Sequence, residues 1–223
     1  MLPAKHPRSG LSGDSPDHSD PRLQEDVTAF VDRIGEPVYL VGWSSVSGAL
    51  GAAAHSDSVA AVALYESGVI SVAGEDVLAG FVAAVEQVGE AAADGRLADA
   101  ARAFAPSVQT DSEIAALDAD FFEQWGRSIP ALIRLIQQAA SYVGTRSTDP
   151  GTLRKITVPV LLLVGHETRQ AVWFTEAAHH IAKHVADPEV RELPSIGHFA
   201  PVLAPEIIAQ ELIRFFESVR QPA

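Results

Sequence analysis

The chain has 223 residues, 47% of them hydrophobic and 20% charged, with a formal net charge of −13 and no cysteine. This size and composition predict one globular domain with a sizeable core. The negative charge argues against a nucleic-acid partner, and the lack of cysteine excludes disulfides and thiolate chemistry. No apolar run suits a signal peptide or a membrane span, so we expect a cytoplasmic protein without a membrane partner.

The secondary structure is predicted in chain order from hydrophobic periodicity. Residues 1–21 are rich in Ser, Asp, Pro and Gly and predict a loop or flexible tail. Apolar residues at helical spacing then predict a helix from Leu23 to Ile34, which Gly35 ends. Continuous apolar runs typical of buried parallel strands occur at 38–41, 59–65, 158–164 and 190–193. Further helices are predicted at 48–54, 172–184 and 204–219.

No strand is predicted between the second and third of these strands. Residues 75–142 contain alanine-rich helical stretches, which are broken near Gly95, Pro106, Gly126 and Pro130. Strands that alternate with helices predict an α/β fold with a mostly parallel sheet flanked by helices. We therefore predict an α/β core at 22–74 and 148–223, with an inserted helical cap at 75–147.

A serine turn follows the first predicted strand, in the segment Gly42-Trp43-Ser44-Ser45. A strand that turns sharply into a helix lifts the apex side chain, here Ser44, above the sheet. The amide of Ser45 then faces the same space and can bind an oxyanion. Val46 replaces the second glycine of the usual G-x-S-x-G pattern, and a β-branched residue is poor at close approach and at positive φ. The alternative is that these serines only cap the next helix.

A histidine, His198, follows the last predicted strand and comes directly after Gly197. A histidine in this loop can take a proton from Ser44 and return it to a leaving group. The alternative is an ordinary loop histidine. The order of strand, serine turn, helical block, strand and histidine favours the catalytic interpretation.

Residues 7–220 resemble the C-terminal two-thirds of an α/β-hydrolase. The segments that carry this resemblance are 8–15, 25–38, Leu40-Val41-Gly42-Trp43-Ser44, 158–165 and Gly197-His198-Phe199. The resemblance implies a serine nucleophile, a histidine base, a small-molecule substrate and no cofactor. It also implies that the first strands of the fold are missing. The histidine-glycine loop among those strands, which supplies a second oxyanion amide in the family, is then missing too, so the chain would be a truncated member.

The resemblance leaves two candidates for the acid that orients His198. Thr168 stands three residues after Gly165, where the family commonly has an aspartate, and Glu167 is one position earlier. Some members instead take the acid from the end of the strand after the nucleophile helix, which is the position of Glu66. We favour Glu66, because a carboxylate must hold the histidine tautomer and stabilise its cation. The alternative for each is a solvated loop carboxylate.

Other features receive weaker interpretations. The aromatic residues Trp43, Phe121, Phe122 and Trp125 are candidates for lining a substrate pocket, although packing of the cap on the sheet is the commoner use of such residues. His180 and His184 share a helix face but lack a third ligand at a recognisable spacing, so no metal site is predicted.

The first predicted strand would lie at a sheet edge, apolar on both faces. Such an edge invites a partner chain, and we expect a homo-oligomer that pairs through it.

Two functions remain open. The first is a cofactor-independent serine hydrolase that cleaves a small, fairly apolar ester or related carbonyl substrate. The second is a truncated or catalytically impaired homologue that binds a small ligand without turnover. Val46, Thr168 and the missing oxyanion loop favour the second function, whereas the serine, histidine and carboxylates favour the first.

Overall fold

A computed structural model describes residues 15–220, so the expectations for residues 1–14 lie outside the described part. Its strands are β1 (Val38–Trp43), β2 (Val59–Tyr65), β3 (Pro159–Gly165) and β4 (Asp187–Leu193). Its α-helices are α1 (Asp20–Ile34), α2 (Ser47–His55), α3 (Glu75–Ala93), α4 (Leu97–Phe104), α5 (Asp111–Ala116), α6 (Ala119–Gly126), α7 (Ile129–Ser141), α8 (Pro150–Leu153), α9 (Ala171–Ala182), α10 (Ala200–Leu203) and α11 (Pro205–Arg220).

The strands form one parallel sheet in the order β1-β2-β3-β4. The two central strands, β2 and β3, are the most continuously apolar and are buried along nearly their whole length. At one edge, β1 leaves Val41 46% exposed. Burial on both faces requires apolar side chains at every position, so the predicted parallel α/β sheet flanked by helices is confirmed.

Two hydrophobic layers cover the sheet, one on each face. On the first face, Val31, Leu50 and Phe174 from α1, α2 and α9 pack against alternate residues of β2 and β3. On the second face, Ile208 and Phe215 of α11 pack against the other residues of these strands. Because side chains alternate along each strand, both faces of the sheet are covered. The C-terminal ends of all four parallel strands lie at one edge, and the loops at that edge can carry a site.

Between β2 and β3 the chain forms a 3₁₀ turn at Ile70–Val72, then the helical segment 75–141 and finally α8. The helical segment contains α3 to α7 and a second 3₁₀ turn at Ala105–Ser107. Its own buried cluster includes Phe104, Phe122 and Ile129, and Phe199 from the loop after β4 joins it. The breaks fall where predicted, since Gly95 has a φ of 76° and Gly126 lies against the backbone of Leu97. The division of the chain into a core and a cap domain stays a prediction.

None of the helices within residues 15–220 combines the length and the apolar character that a membrane span needs.

Candidate active site

Ser44 occupies the sharp turn between β1 and α2. Its φ is 63°, in the left-handed region that a non-glycine residue seldom adopts. The turn is held on both sides, because the Ser44 amide donates to the Tyr65 carbonyl at 3.0 Å and the Ser44 carbonyl accepts from the Gly68 amide at 2.8 Å. A strained residue that two hydrogen bonds hold in place is typical of a functional turn.

Val46 needs neither the positive φ nor the close approach of strand and helix that would disfavour a β-branched residue. It is buried, and its φ is −110°, so the left-handed conformation falls on Ser44 and not on Val46. The strand and the helices pack closely at the glycines on either side of the serine turn. A Cβ on Gly42 would lie 2.9 Å from Leu64 Cδ2, and one on Gly48 would lie 2.6 Å from Val27 Cγ2. The turn therefore accommodates valine at this position.

His198 and Glu66 form a buried hydrogen-bonded pair. Glu66 Oε2 accepts from His198 Nδ1 at 2.7 Å, and Glu66 Oε1 accepts from the Gly165 amide at 3.0 Å. Glu66 is fully buried and His198 is 2% exposed. Because an ionised carboxylate can only accept, it places the proton of a neutral imidazole on Nδ1 and leaves Nε2 as the acceptor.

The ends of neighbouring strands bring this pair together. Glu66 directly follows β2, Gly165 ends β3, and His198 lies in the loop after β4. Gly165 has no room for a side chain, since a Cβ would lie 2.5 Å from the Ile196 carbonyl oxygen and 2.9 Å from Glu66 Oε1. The parallel sheet thus brings Glu66 and His198 together, although they are 132 positions apart in sequence.

The imidazole plane of His198 is fixed by aromatic packing. Phe174 of α9 stacks on it with ring centroids 4.9 Å apart and an interplanar angle of 4°. Trp43 lies against another side, with a centroid distance of 5.9 Å. Phe174 is itself buried, so the ring has little freedom to rotate away from Glu66.

The second candidate acid, Glu167, has an exposed side chain. Its backbone amide donates to the Ile196 carbonyl at 2.9 Å, so the residue borders the histidine loop through its main chain. Thr168, at the position where a family aspartate is common, is buried. Of the two carboxylates, the structure brings Glu66 to His198.

A cavity of about 730 Å³ opens over Ser44, Ser45 and His198. Of the four aromatic candidates, Trp43 and Trp125 are in its lining. Other apolar residues of the lining include Phe81, Phe104, Leu132, Ile136 and Trp173. Phe121 and Phe122 lie behind this wall, with ring centroids 5.9 and 6.2 Å from that of Trp125. The serine and the histidine therefore face one largely apolar space.

Sequence reasoning missed Phe174 and Glu113 near the site. No sequence signal separates Phe174 from the other apolar residues of α9. Glu113 has a visible signal, the pattern Thr110-x-x-Glu113 of a helix capping box, and the structure contains that box. The pattern does not reveal that Glu113 also reaches the histidine loop.

Within the described range 15–220, no group of three or more His, Cys, Asp or Glu side chains is placed to hold a metal ion. His180 contacts the Thr148 carbonyl through Nε2 at 2.9 Å.

Solved structures share the fold of this chain. An α/β hydrolase from Sphaerobacter thermophilus is 20% identical with a TM-score of 0.64, over 93% of this chain and 78% of that one. An esterase from Exiguobacterium antarcticum is 16% identical with a TM-score of 0.70, over 96% and 78%. MenH from S. aureus is 14% identical with a TM-score of 0.72, over 96% and 82%. At these identities the likeness concerns the fold alone.

Sequence comparisons give a separate result. A search among curated proteins found no significant match. The model of the alpha/beta hydrolase family, however, matches residues 6–211, which is most of the chain. This chain therefore belongs to the alpha/beta hydrolase family.

Proposed function

We propose that this protein is a serine hydrolase that cleaves a small, fairly apolar ester or related carbonyl compound through Ser44, His198 and Glu66. One observation carries the proposal. The buried 2.7 Å contact between Glu66 and His198 lies beside the strained turn of Ser44, and serine and histidine line the same cavity. This combination of nucleophile, base and orienting acid is the arrangement that acyl transfer requires.

In this reaction, the Ser44 hydroxyl oxygen adds to the substrate carbonyl carbon while its proton passes to His198 Nε2. Glu66 holds the ring orientation and stabilises the imidazolium that forms. The same proton then passes to the leaving alkoxide, which departs as the alcohol. A water molecule next repeats the sequence on the acyl-enzyme, releasing the acid and restoring Ser44.

The developing oxyanion would be stabilised from the start of α2. The Ser45 amide lies two residues before α2, which begins at Ser47 after the N-cap Val46. It is therefore close to the partly positive start of that helix, which favours negative charge. Loss of one such donor typically costs about 10²-fold or more in rate, so the amide is a sizeable contribution.

The shape and lining of the cavity favour an ester substrate with an apolar group. Its walls are mainly aromatic and aliphatic, and its volume of about 730 Å³ is in the range that holds a drug-sized ligand. A fold neighbour from Exiguobacterium antarcticum is named an esterase, which agrees with this substrate class. We expect the apolar part of the substrate to contact Phe81, Phe104 and Trp125.

Hydrolysis of p-nitrophenyl esters of increasing acyl length tests the proposal. We expect kcat/KM to rise from acetate to medium-length chains, because longer chains bury more apolar surface in the cavity. Ser44→Ala and His198→Ala should each lower turnover by at least about 10³-fold while circular dichroism stays unchanged. Ester binding without turnover by the folded wild type would instead support the impaired homologue.

A further inference from the structure

A buried carboxylate, that of Glu113, joins the helical segment 75–141 to the loop that carries His198. Glu113 Oε1 accepts from the Phe199 amide at 2.8 Å, and Glu113 Oε2 accepts from the Thr110 amide at 2.9 Å. Glu113 is only 8% exposed although it is a charged residue type. Burial of a carboxylate is costly unless hydrogen bonds compensate it, so these contacts must be well formed.

The carboxylate packs directly against the peptides on both sides of His198. Phe199 donates to it, and a Cβ on Gly197 would lie 2.5 Å from Glu113 Oε1. From the opposite side, the Tyr65 hydroxyl donates to the Gly197 carbonyl. Burial, followed by the charges of Glu66 and Glu113, raises the pKa of Tyr65 well above its ordinary value, so its hydroxyl stays a donor. The histidine peptide is thus held between the sheet and the helical segment.

Glu113 is itself fixed in place by the start of α5. Thr110 Oγ1 accepts from the Glu113 amide at 3.3 Å, which completes the capping box. Arg169, in the loop after β3, donates through Nε to the Gln109 carbonyl at 2.7 Å and pairs with Asp111. These contacts hold the beginning of α5 over the C-terminal edge of the sheet.

Resting on the proposed function, we propose that Glu113 is a positioning residue that fixes the His198 loop through the Phe199 amide. A charged acceptor binds an amide about twice as strongly as a neutral one. Without it, the Phe199 amide would be buried without an acceptor and the loop would relax. Because a displacement of about 1 Å can cost about 10²-fold in rate, turnover would fall although Glu113 never touches the substrate.

Three variants separate positioning from a role in helix capping alone. Glu113→Met keeps the side-chain length but removes both acceptor oxygens. Glu113→Gln keeps one acceptor oxygen for Phe199 and loses the one that the Thr110 amide uses. Thr110→Val removes the capping hydroxyl, which also contacts Glu113 Oε2 at 3.2 Å, and keeps the Glu113 carboxylate that accepts from Phe199. Three quantities are measured for each: kcat and KM on an ester, hydrogen exchange of the Phe199 amide, and the proton resonance of His198 Nδ1–H. Glu113→Ala serves as a second variant if the methionine variant does not fold.

We expect Glu113→Met to lower kcat by about 10- to 100-fold with KM little changed. It should also speed Phe199 exchange and broaden the Nδ1–H resonance. Glu113→Gln and Thr110→Val each leave an acceptor oxygen on the Phe199 amide, so both should show clearly smaller changes than Glu113→Met in all three measurements. Equal losses in Thr110→Val, or fast Phe199 exchange in the wild type, would overturn the proposal. Exchange and resonance do not depend on turnover, so they decide the role of Glu113 even if the wild type hydrolyses no ester.

Discussion

Two carboxylates, Glu66 and Glu167, are candidates for the acid that orients His198, and their surroundings differ. Glu66 contacts His198 at 2.7 Å in a fully buried position, whereas the Glu167 side chain is exposed. Of the two carboxylates, Glu66 is the one in contact with His198, and in the proposed mechanism it would hold the imidazole tautomer and stabilise its cation. The two carboxylates should therefore differ strongly in their effect on turnover.

We predict that Glu66→Gln lowers kcat by at least about 10²-fold, because the amide no longer stabilises the imidazolium. Glu167→Gln is the matched control, with the same chemical change in an exposed side chain, and should leave kcat within about twofold. Both are measured by steady-state ester hydrolysis. A larger loss in Glu167→Gln than in Glu66→Gln would reverse the assignment.

For single residues, the sequence narrows the choice of acid where topology limits which residues can meet. The Glu66–His198 contact agrees with the preference for Glu66, because the carboxyl ends of adjacent parallel strands meet at one edge. The concern over Val46 was wrong, since the left-handed conformation and the close approach fall on Ser44, Gly42 and Gly48. The contact of Glu113 with Phe199 spans 86 positions, and no local pattern encodes such a distance.

At the scale of elements, α3 contains a glycine that packing does not explain. Gly80 lies in an exposed part of the helix, and a Cβ there would meet nothing within 4 Å. Glycine in a helix interior is destabilising relative to alanine, because it loses more backbone entropy on folding. Gly80 is thus a site where the helix can be strengthened without disturbing its contacts.

We predict that Gly80→Ala raises the free energy of unfolding by about 0.5–1 kcal/mol. Gly35→Ala is the matched control, since it also has open space around it, but its φ of 75° is in the left-handed region. It should lower stability by about 1 kcal/mol through backbone strain alone. Urea unfolding measures both, and a loss of stability in Gly80→Ala would contradict this interpretation of α3.

Element prediction was most accurate where apolar runs were continuous. The β2 range agrees with the predicted 59–65, because both of its faces are buried. β4 begins at Asp187, three residues before the predicted start, since its first residues are exposed and polar and so lack an apolar signal. α1 begins at Asp20, inside the predicted tail, with Pro21 in its first turn, a position where proline is tolerated.

At the scale of the whole molecule, the sheet ends at β1. Among residues 15–220, this strand pairs with β2 on one side only, and Val41 is 46% exposed. An apolar edge strand is a template for pairing with another chain. We therefore retain the expectation of a homo-oligomer through this edge.

We predict that Val41→Lys weakens self-association, because a charged side chain on an edge strand opposes pairing. Val143→Lys is the control, since Val143 is 99% exposed but lies after α7, away from the sheet. Sedimentation velocity over a range of protein concentrations compares both with the wild type. An unchanged association constant for Val41→Lys would contradict the prediction that the chains pair through the β1 edge.

The architecture as a whole could be predicted because alternating strands and helices leave few topologies for a parallel sheet. The walls of the cavity could not be predicted in the same way. Trp125 lines the cavity while Phe121 and Phe122 lie behind it, and this distinction depends on how the helical segment sits over the sheet. Local periodicity places all three aromatic residues in one helix but does not orient that helix.

We infer that His198 and Glu66 activate Ser44, and covalent labelling of the nucleophile is the direct test of this activation. The purified protein is treated with a fluorophosphonate, and the modified residue is located by peptide mass spectrometry. We expect a single adduct on Ser44 that is lost in Ser44→Ala and strongly reduced in His198→Ala. An adduct on another serine, or none on the folded wild type, would contradict it.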